Sequence, residues 1–411
     1  MSKFYSSEDK LKIKYNKWIL FFFFVVISIP PLQHIRMLYW LSILMIACSL
    51  LFHIISSKLK ITNYVVWLLL FNMFILLSGV WSIEKKFFIK DFKLMLVISI
   101  VFIYISLIIQ NKNNIYTLLK LFIYSKVIMA IYIFFNIEIT SLGNVRIGAE
   151  NLGEEWNANT IGMNMAISSF MVTVLLKDEK VKSRKYFYFL CVLLFCVVTL
   201  LSGSRKALFI LIFSIGLYSI ITSKRYKAAK ATIMFLTGMI LLYLVMNVSF
   251  LYDVLGSRID TLLAKFSGSG SVDKSTAERF LMVELGMDFF KDNPLFGYGA
   301  NNFRELFGNI TGRYVYSHNN YVELLVGIGL IGTLIYYFGY LYILNKVSFK
   351  NDPLSAFAFV SIVVLFIIDI GLVSYNSFYI QFLICLSFSI IYVKNNMDIK
   401  GDSTLMSSNV K

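Results

Sequence analysis

Charge is scarce in this chain. Only 15% of its 411 residues are Asp, Glu, Lys or Arg, against roughly a quarter in a soluble domain. That excludes an ordinary water-soluble enzyme of this length and points to an integral membrane protein. Histidine is scarcer still, with three residues. No His/Cys set has metal-ligand spacing, and the sequence has no aspartate cluster, Walker loop or dinucleotide fingerprint, so no metal and no cofactor is expected. The four cysteines, Cys48, Cys191, Cys196 and Cys385, all lie inside apolar runs. They read as small buried hydrophobes and not as a disulfide framework. The first apolar run, "WILFFFFVVISIPPL", lacks a small-residue cleavage site, so no cleavable signal peptide is expected.

What is abundant is apolar surface: 58% of the residues are hydrophobic and 17% aromatic. Apolar runs recur from Trp18 to Val393, each long enough for a hydrocarbon core that needs about 20 helical residues. The runs do not alternate in polarity, which leaves helices as the spanning structure. The expected fold is an all-α polytopic membrane protein of about 12 spans. They fall near 17–31, 37–55, 63–81, 92–110, 117–137, 159–176, 186–202, 206–222, 231–250, 319–343, 354–373 and 376–393. The formal net charge of +16 suggests nucleic acid only until its distribution is read. Most lysines and arginines sit in short gaps between apolar runs, which is a topology signal, and no nucleic-acid partner is expected. With "KLKIKYNK" cytoplasmic, the basic gaps "SSKLK", "KDEKVKSRK", "SKRYKAAK", "NKVSFK" and the tail after "YVK" are cytoplasmic too. Both termini then face the cytoplasm. One external gap, "SIEKKFFIKD", is lysine-rich and breaks the pattern.

The remaining hydrophilic sequence is external on this topology. It comprises a loop over 138–158, a tight "SGSRK" turn, and a loop of 251–317 between spans nine and ten, too long to be an idle connector. The chain thus divides into a transmembrane bundle over 1–250, a large external loop over 251–317, and a second bundle with a cytoplasmic tail over 318–411. Within the loop, Phe280, Val283, Met287 and Phe290 recur at helical spacing. They predict an amphipathic helix able to lie on the membrane surface. No internal repeat of the kind that marks secondary transporters is visible.

Four unusual groups fall on the external face: Arg146, Arg205, Arg279 and His318. Arg205, with Lys206 beside it, stands where the "SGSRK" turn enters a span, and arginine near hydrocarbon needs a partner. A lone arginine there reads equally as a snorkelling anchor on lipid headgroups. Three arginines converging on one face favour an anion instead, because guanidinium groups match phosphate with paired hydrogen bonds. A lipid-linked pyrophosphate at the outer leaflet suits such a site. His318, in "YSHNNYVELLVGIGLIG", is a group able to take a proton from a sugar hydroxyl near neutral pH. It is equally a helix-mouth histidine bonded to a carbonyl. Glu323, more than a turn into the span, is a weaker candidate base. Asn157 and Asn159 suit either sugar hydroxyls or the cap of the sixth span.

In these residues the sequence resembles the O-antigen ligase and polysaccharide polymerase superfamily of bacterial membrane proteins. The stretches that carry it, in order, are "VRIGAENLGEEWNANTIGMNMA", "LLSGSRKALFILI", "AERFLMVELGMDFFKDNPLFGYGANNF" and "SHNNYVELLVGIGLIG", spanning 145–332. One departure is Asn-Ala-Asn at 157–159, where family members often have Asn-Pro-Asn. The resemblance implies a GT-C-like glycosyltransferase architecture and metal-independent, inverting transfer from an undecaprenyl-pyrophosphate glycan. It also implies that Arg205 and Arg279 engage the pyrophosphate, that His318 serves the acceptor hydroxyl, and that Arg146 lines the cavity. Lys206, Asn157, Asn159 and Asn319 are the further substrate-binding candidates. The partners it implies are a lipid-linked donor and acceptor, membrane lipid, a flippase and a chain-length regulator. A polymerase joining repeat units at the outer face of the cytoplasmic membrane is the reading taken, for O-antigen, capsule or exopolysaccharide. A ligase moving a finished glycan to lipid A core is the alternative. A twelve-span flippase or transporter, from a different class, calls for charges along a mid-bilayer pathway. Here Asp369 is the main deep acid and the cations sit at one face.

Overall fold

Helix ends in this protein are set by small polar caps, a proline and a few left-handed residues, and the apolar runs between them become the helices. The computed structural model describes residues 7–56, 61–137, 147–223, 225–247, 274–347 and 352–408. Arg146 therefore lies outside the described residues, as does the first part of the long loop. Among the described residues there are sixteen helices and no strand. In chain order they are α1 (Ser7–Ser28), α2 (Pro30–His34), α3 (Arg36–Ser56), α4 (Asn63–Ser78), α5 (Lys85–Ile108), α6 (Lys112–Asn136), α7 (Ala149–Leu152) and α8 (Ala158–Asp178). Then follow α9 (Lys182–Leu201), α10 (Arg205–Ile221), α11 (Lys227–Asn247), α12 (Lys274–Asp292), α13 (Phe303–Thr311), α14 (Asn320–Lys346), α15 (Pro353–Asp369) and α16 (Phe378–Ser408).

Each of the expected apolar segments overlaps one of these helices, the first running on into α2 and the eleventh past the end of α15. Seven of them are at once long and apolar enough to cross a membrane, and α4 and α15 are shorter apolar helices. The protein is an all-α, multi-pass membrane protein. Local chemistry explains the boundaries. Thr62 accepts from the Val65 N–H at the head of α4. Asp352 accepts from Leu354 and Ser355 at the head of α15, where Pro353 occupies the first helical position; a proline is tolerated there because that N–H has no partner in the helix.

The chain forms two units, each discontinuous in sequence: 1–58 with 113–260, and 59–112 with 261–411. In the first, α8 is the central helix, with 78% of its apolar window buried, against 28% for α9 and 17% for α3. The exposed apolar faces of α3 and α9 are what a lipid-facing surface requires.

In the second unit α14 is broken at Gly329, whose φ of 64° and ψ of −171° are not helical. The Pro294–Gly297 turn fills the break. Leu330 and Ile331 donate to the carbonyls of Pro294 and Leu295 at 2.8 and 3.3 Å, and Tyr298 donates to Val326 at 2.9 Å. The backbone groups freed by the break are thereby satisfied inside protein, as apolar surroundings demand. A Cβ at residue 329 would stand 2.3 Å from the Leu295 carbonyl oxygen, so only glycine fits.

The same turn docks on the α4–α5 connection. Ile83 donates to the Tyr298 carbonyl at 3.2 Å, Glu84 N to Asn302 Oδ1 at 3.0 Å, and Asn302 Nδ2 to Ser82 Oγ at 2.7 Å. Most of "SIEKKFFIKD" is therefore helix, because α5 starts at Lys85. Its short connection lies at the same end of the unit as the 293–302 turn, so the lysines there flank a helix start. The amphipathic segment is α12. Its buried side centres on Met282, in a cluster with Phe303, Phe307, Val322 and Val326, and Val283, Leu285, Phe289 and Phe290 pack onto it. Of the residues read as the apolar face, Phe280 is instead exposed.

Candidate active site

At one end of the second unit, the segment before α14 forms a turn fixed from three directions. Ser317 N donates to Glu323 Oε2 at 2.9 Å, and Ser317 Oγ donates to the Asn319 carbonyl at 2.7 Å. Asn319 Oδ1 accepts from the Tyr321 and Val322 N–H groups at 2.9 and 3.2 Å, capping α14. Between Ser317 and Asn319, His318 is held at φ 56°, a left-handed conformation that non-glycine residues adopt at a cost. Its ring lies against Tyr316, with centroids 4.2 Å apart.

Two arginines act on the tyrosine of that pair. Burial raises the pKa of the Tyr316 hydroxyl, Glu323 adds to the rise, and Arg279 and Arg304 oppose it. Arg279 on α12 and Arg304 on α13 thus both act on the residue whose ring lies against His318. The start of α12 is tied to the segment before the turn by an ion pair between Glu278 and Arg313. Sequence reading passed over Arg304 entirely. It directly follows the Asn-Asn-Phe that ends the Pro/Gly turn, and its guanidinium lies 5.3 Å from the centroid of the Phe87 ring. An arginine at the start of a short helix that follows a Pro/Gly turn was the available signal.

Beneath the turn sit the acids. Asp91 is buried in α5 and accepts from Tyr375 Oη at 2.8 Å and Asn376 Nδ2 at 2.7 Å. Burial raises the Tyr375 hydroxyl, Asp91 and Glu323 add to that, and Arg304 opposes. Glu323 is buried as well, and among the described residues Glu323 Oε1 and Arg304 Nε are buried without a hydrogen-bond partner. Asp369, read from sequence as a deep acid, ends α15 at this same level. It accepts from Tyr337 Oη at 2.9 Å, from Ser374 Oγ, and from Asn320 Nδ2 at 3.5 Å. Asn320 Oδ1 in turn accepts from Ser374 N and Tyr375 N at 2.9 and 3.1 Å. Asn320 therefore locks the 370–377 segment to the start of α14. Each of these acids has a polar partner, as buried charge requires.

The first unit holds the other candidates. Gly203, at φ 60°, turns the chain after α9, and Ser204 Oγ accepts from Ala207 N at 3.4 Å to cap α10. Arg205 and Lys206 are the first two residues of that helix, both part-exposed. They add two cations to the positive end of a helix dipole, a combination suited to an anion. Ile147 N donates to the Leu201 carbonyl at 3.1 Å, which brings the 147–152 segment to the same end. Asn157 caps α8, accepting from Asn159 and Thr160 N–H at 3.0 and 3.2 Å. Asn159 is exposed. The structure thus groups Arg279, His318 and Asn319 in one unit, and Arg205, Lys206, Asn157 and Asn159 in the other.

Residues 189–337 match the family model described as O-antigen ligase. The matched region takes in Arg205, Lys206, Arg279, His318 and Asn319, and stops short of Asn157 and Asn159. No curated protein matches the chain significantly. The family-model match is consistent with the O-antigen ligase and polymerase superfamily. Members of this family are glycosyltransferase-like enzymes with lipid-linked glycan substrates.

Proposed function

We propose that the protein is a polymerase that joins undecaprenyl-pyrophosphate-linked oligosaccharide repeat units at the outer face of the cytoplasmic membrane. A hydroxyl of the acceptor glycan attacks the anomeric carbon of the donor from the side opposite its pyrophosphate. The new glycosidic C–O bond forms as the bond to the pyrophosphate oxygen breaks, with inversion. His318 accepts the hydroxyl proton, and undecaprenyl pyrophosphate departs carrying the displaced electron pair. Arg205 and Arg279 neutralise the charge that builds on it, a function elsewhere often served by a metal ion. Lys206 and Arg146 add to the anion site. Asn319, Asn157 and Asn159 face the sugars. Both termini are cytoplasmic, and a flippase and a chain-length regulator act before and beside it.

The observation that carries this reading is the turn around His318. A non-glycine residue is held left-handed by Ser317, Asn319 and Glu323, with Arg279 acting on the tyrosine whose ring lies against it. Arginines are permanently protonated and cannot take the hydroxyl proton. The imidazole can.

The description of the matched family favours a second reading, transfer of a finished glycan to lipid A core. The lipid-linked glycans that accumulate in a deletion strain separate the two. Single repeat units are expected; long unattached chains would make the protein a ligase. Orientation has its own test. Cysteines introduced at Ser267 and Ser183 should label from opposite sides, Ser267 from outside, and labelling of both from one side would remove the outer-face reading.

A further inference from the structure

At the end of the first unit opposite the Arg205 turn, a cleft of about 430 Å³ opens between α6 and α9. That volume is within the roughly 300–1,000 Å³ usual for small-molecule sites. Its lining is Lys120, Tyr124, Ser183, Arg184, Phe187 and Tyr188. Tyr124 and Phe187 meet edge to face with centroids 6.1 Å apart, and Tyr188 is buried beside them. The lining is thus two cations and Ser183 over a floor of aromatic rings, two of which bear hydroxyls.

Depth and charge narrow the ligand. Downstream of Arg184, α9 exposes Tyr186, Phe189, Leu190, Leu193 and Val197, an apolar face made for lipid. Its first turn carries Lys182, Ser183, Arg184 and Lys185. The cleft therefore lies where hydrocarbon gives way to headgroups, the level at which aromatic and basic residues gather. One carboxylate reaches both cations. The N–H groups of Val181 and Lys180 hold Glu179 below the usual carboxylate range, with Arg184 and Lys120 contributing beyond them, and Arg184 stands 3.8 Å from it. Of the two cations lining the cleft, one is offset by that carboxylate, so the cleft keeps a net positive charge. A phosphodiester carries one negative charge and accepts paired hydrogen bonds from a guanidinium. A choline headgroup would bring an opposing cation of its own.

We infer that this cleft is a binding site for the phosphodiester of an anionic glycerophospholipid, with Lys120 and Arg184 holding the phosphate and the aromatic floor holding the glycerol and upper acyl chains. On the positive-inside reading, the lipid belongs to the cytoplasmic leaflet. Basic pockets between membrane helices on that side are a known way of holding such headgroups. The site is independent of the glycan chemistry proposed above.

The test uses the full-length purified protein in detergent, titrated with dioleoyl phosphatidylglycerol, dioleoyl phosphatidylcholine or inorganic phosphate, with bound adducts counted by native mass spectrometry. One phosphatidylglycerol should be retained, and the Lys120→Gln/Arg184→Gln double variant should bind it at least tenfold more weakly. Arg184→Lys, which keeps the charge but loses the paired hydrogen bonds, should bind more weakly than the parent and more tightly than the double variant. A Lys180→Gln/Lys182→Gln variant, altered beside the cleft, should bind as the parent does. The inference is overturned if the Lys120/Arg184 double variant retains the lipid, or if the Lys180/Lys182 variant loses it equally, since that would mean diffuse attraction. Phosphatidylcholine bound as well as phosphatidylglycerol would leave only an apolar seat. Inorganic phosphate displacing the lipid at equal concentration would make it a free-phosphate site.

Discussion

Two turns in this protein share a backbone and differ in what they do with it. At Gly203–Ser204–Arg205 and at His318–Asn319–Asn320, a left-handed residue precedes a capping residue, and a helix follows. In the first turn the left-handed position is glycine, which adopts it without strain, and the chemistry sits one step later in Arg205. In the second the position is histidine, at a cost of about 1–3 kcal/mol for a strained non-glycine conformation. The strain is held by Ser317, Asn319 and Glu323 over a layer of buried acids. The first turn has the form of a helix N-terminus built to meet an anion. The second holds a histidine in the conformation that the first gives to glycine. Sequence economy points the same way: asparagine, glycine or aspartate would make the second turn more cheaply.

The strongest way to break that comparison is to let glycine into the second turn. His318→Gly relieves the strain, so the purified variant should unfold at the same temperature as the parent or above it. Chain growth should nevertheless fall by on the order of 10²–10⁴-fold, the usual contribution of general-base help. His318→Gln should do no better, because an amide hydrogen-bonds but is not a useful base. Polymerisation of purified lipid-linked repeat units by either variant at near the parent rate would reduce His318 to a turn residue, and with it the claimed asymmetry.

The anion side is tested next. Arg205→Lys keeps the charge and the helix start but loses the planar fork. We expect polymer to fall on the order of 10²-fold, the scale of removing one preorganised charge-stabilising donor, with normal membrane insertion. Arg279→Ala should match it. Near-normal polymer in both, at equal protein levels, would return Arg205 to a lipid-anchoring cation and leave the two turns without a shared substrate.

A smaller effect sharpens the structural half of the contrast. The second turn stands on a broken helix, the first does not. Gly329→Ala places a Cβ against the Leu295 carbonyl at a left-handed position, and should cost about 1–3 kcal/mol of stability, read as a lower unfolding temperature in detergent. An unchanged unfolding temperature would mean that the break carries no weight.

How much of this was legible beforehand follows from which interactions are local. Hydropathy runs set the helices, since the bilayer leaves few alternatives, and the helix cap at Asn157 was readable from residue type. Arg205, Arg279 and His318 stood out because charge near an apolar run is costly. Arg304, Asp91, Asn320 and Tyr375 did not. Their meaning comes from partners far away in sequence, such as Tyr375 on Asp91 and Asn320 on Ser374. Asp91 read as one more charge in a lysine-rich gap because nothing local marks it as buried. The break in α14 was hidden for the same reason: "GIGLIG" reads as apolar helix until a distant turn is seen to fill it.

The smallest predicted effect concerns Asn157, which both turns leave out. Its side chain accepts from Asn159 and Thr160 N–H and so caps α8, while the proposed function also gives it sugar hydroxyls. Replacement by serine separates the roles. Serine caps about as well as asparagine, whereas alanine typically costs about 0.5–2 kcal/mol. Serine lacks the amide, however, and its single short hydroxyl has neither the reach nor the two donors a sugar contact would use. If Asn157 only caps, Asn157→Ser should match the parent in stability and in polymer, and Asn157→Ala should lose stability alone. If it also binds glycan, Asn157→Ser should keep the parent's unfolding temperature yet need several-fold more lipid-linked donor to reach half its maximal rate. We expect the second pattern. The first would confine the glycan contacts to the remaining candidates and make the cap the whole of this residue's function.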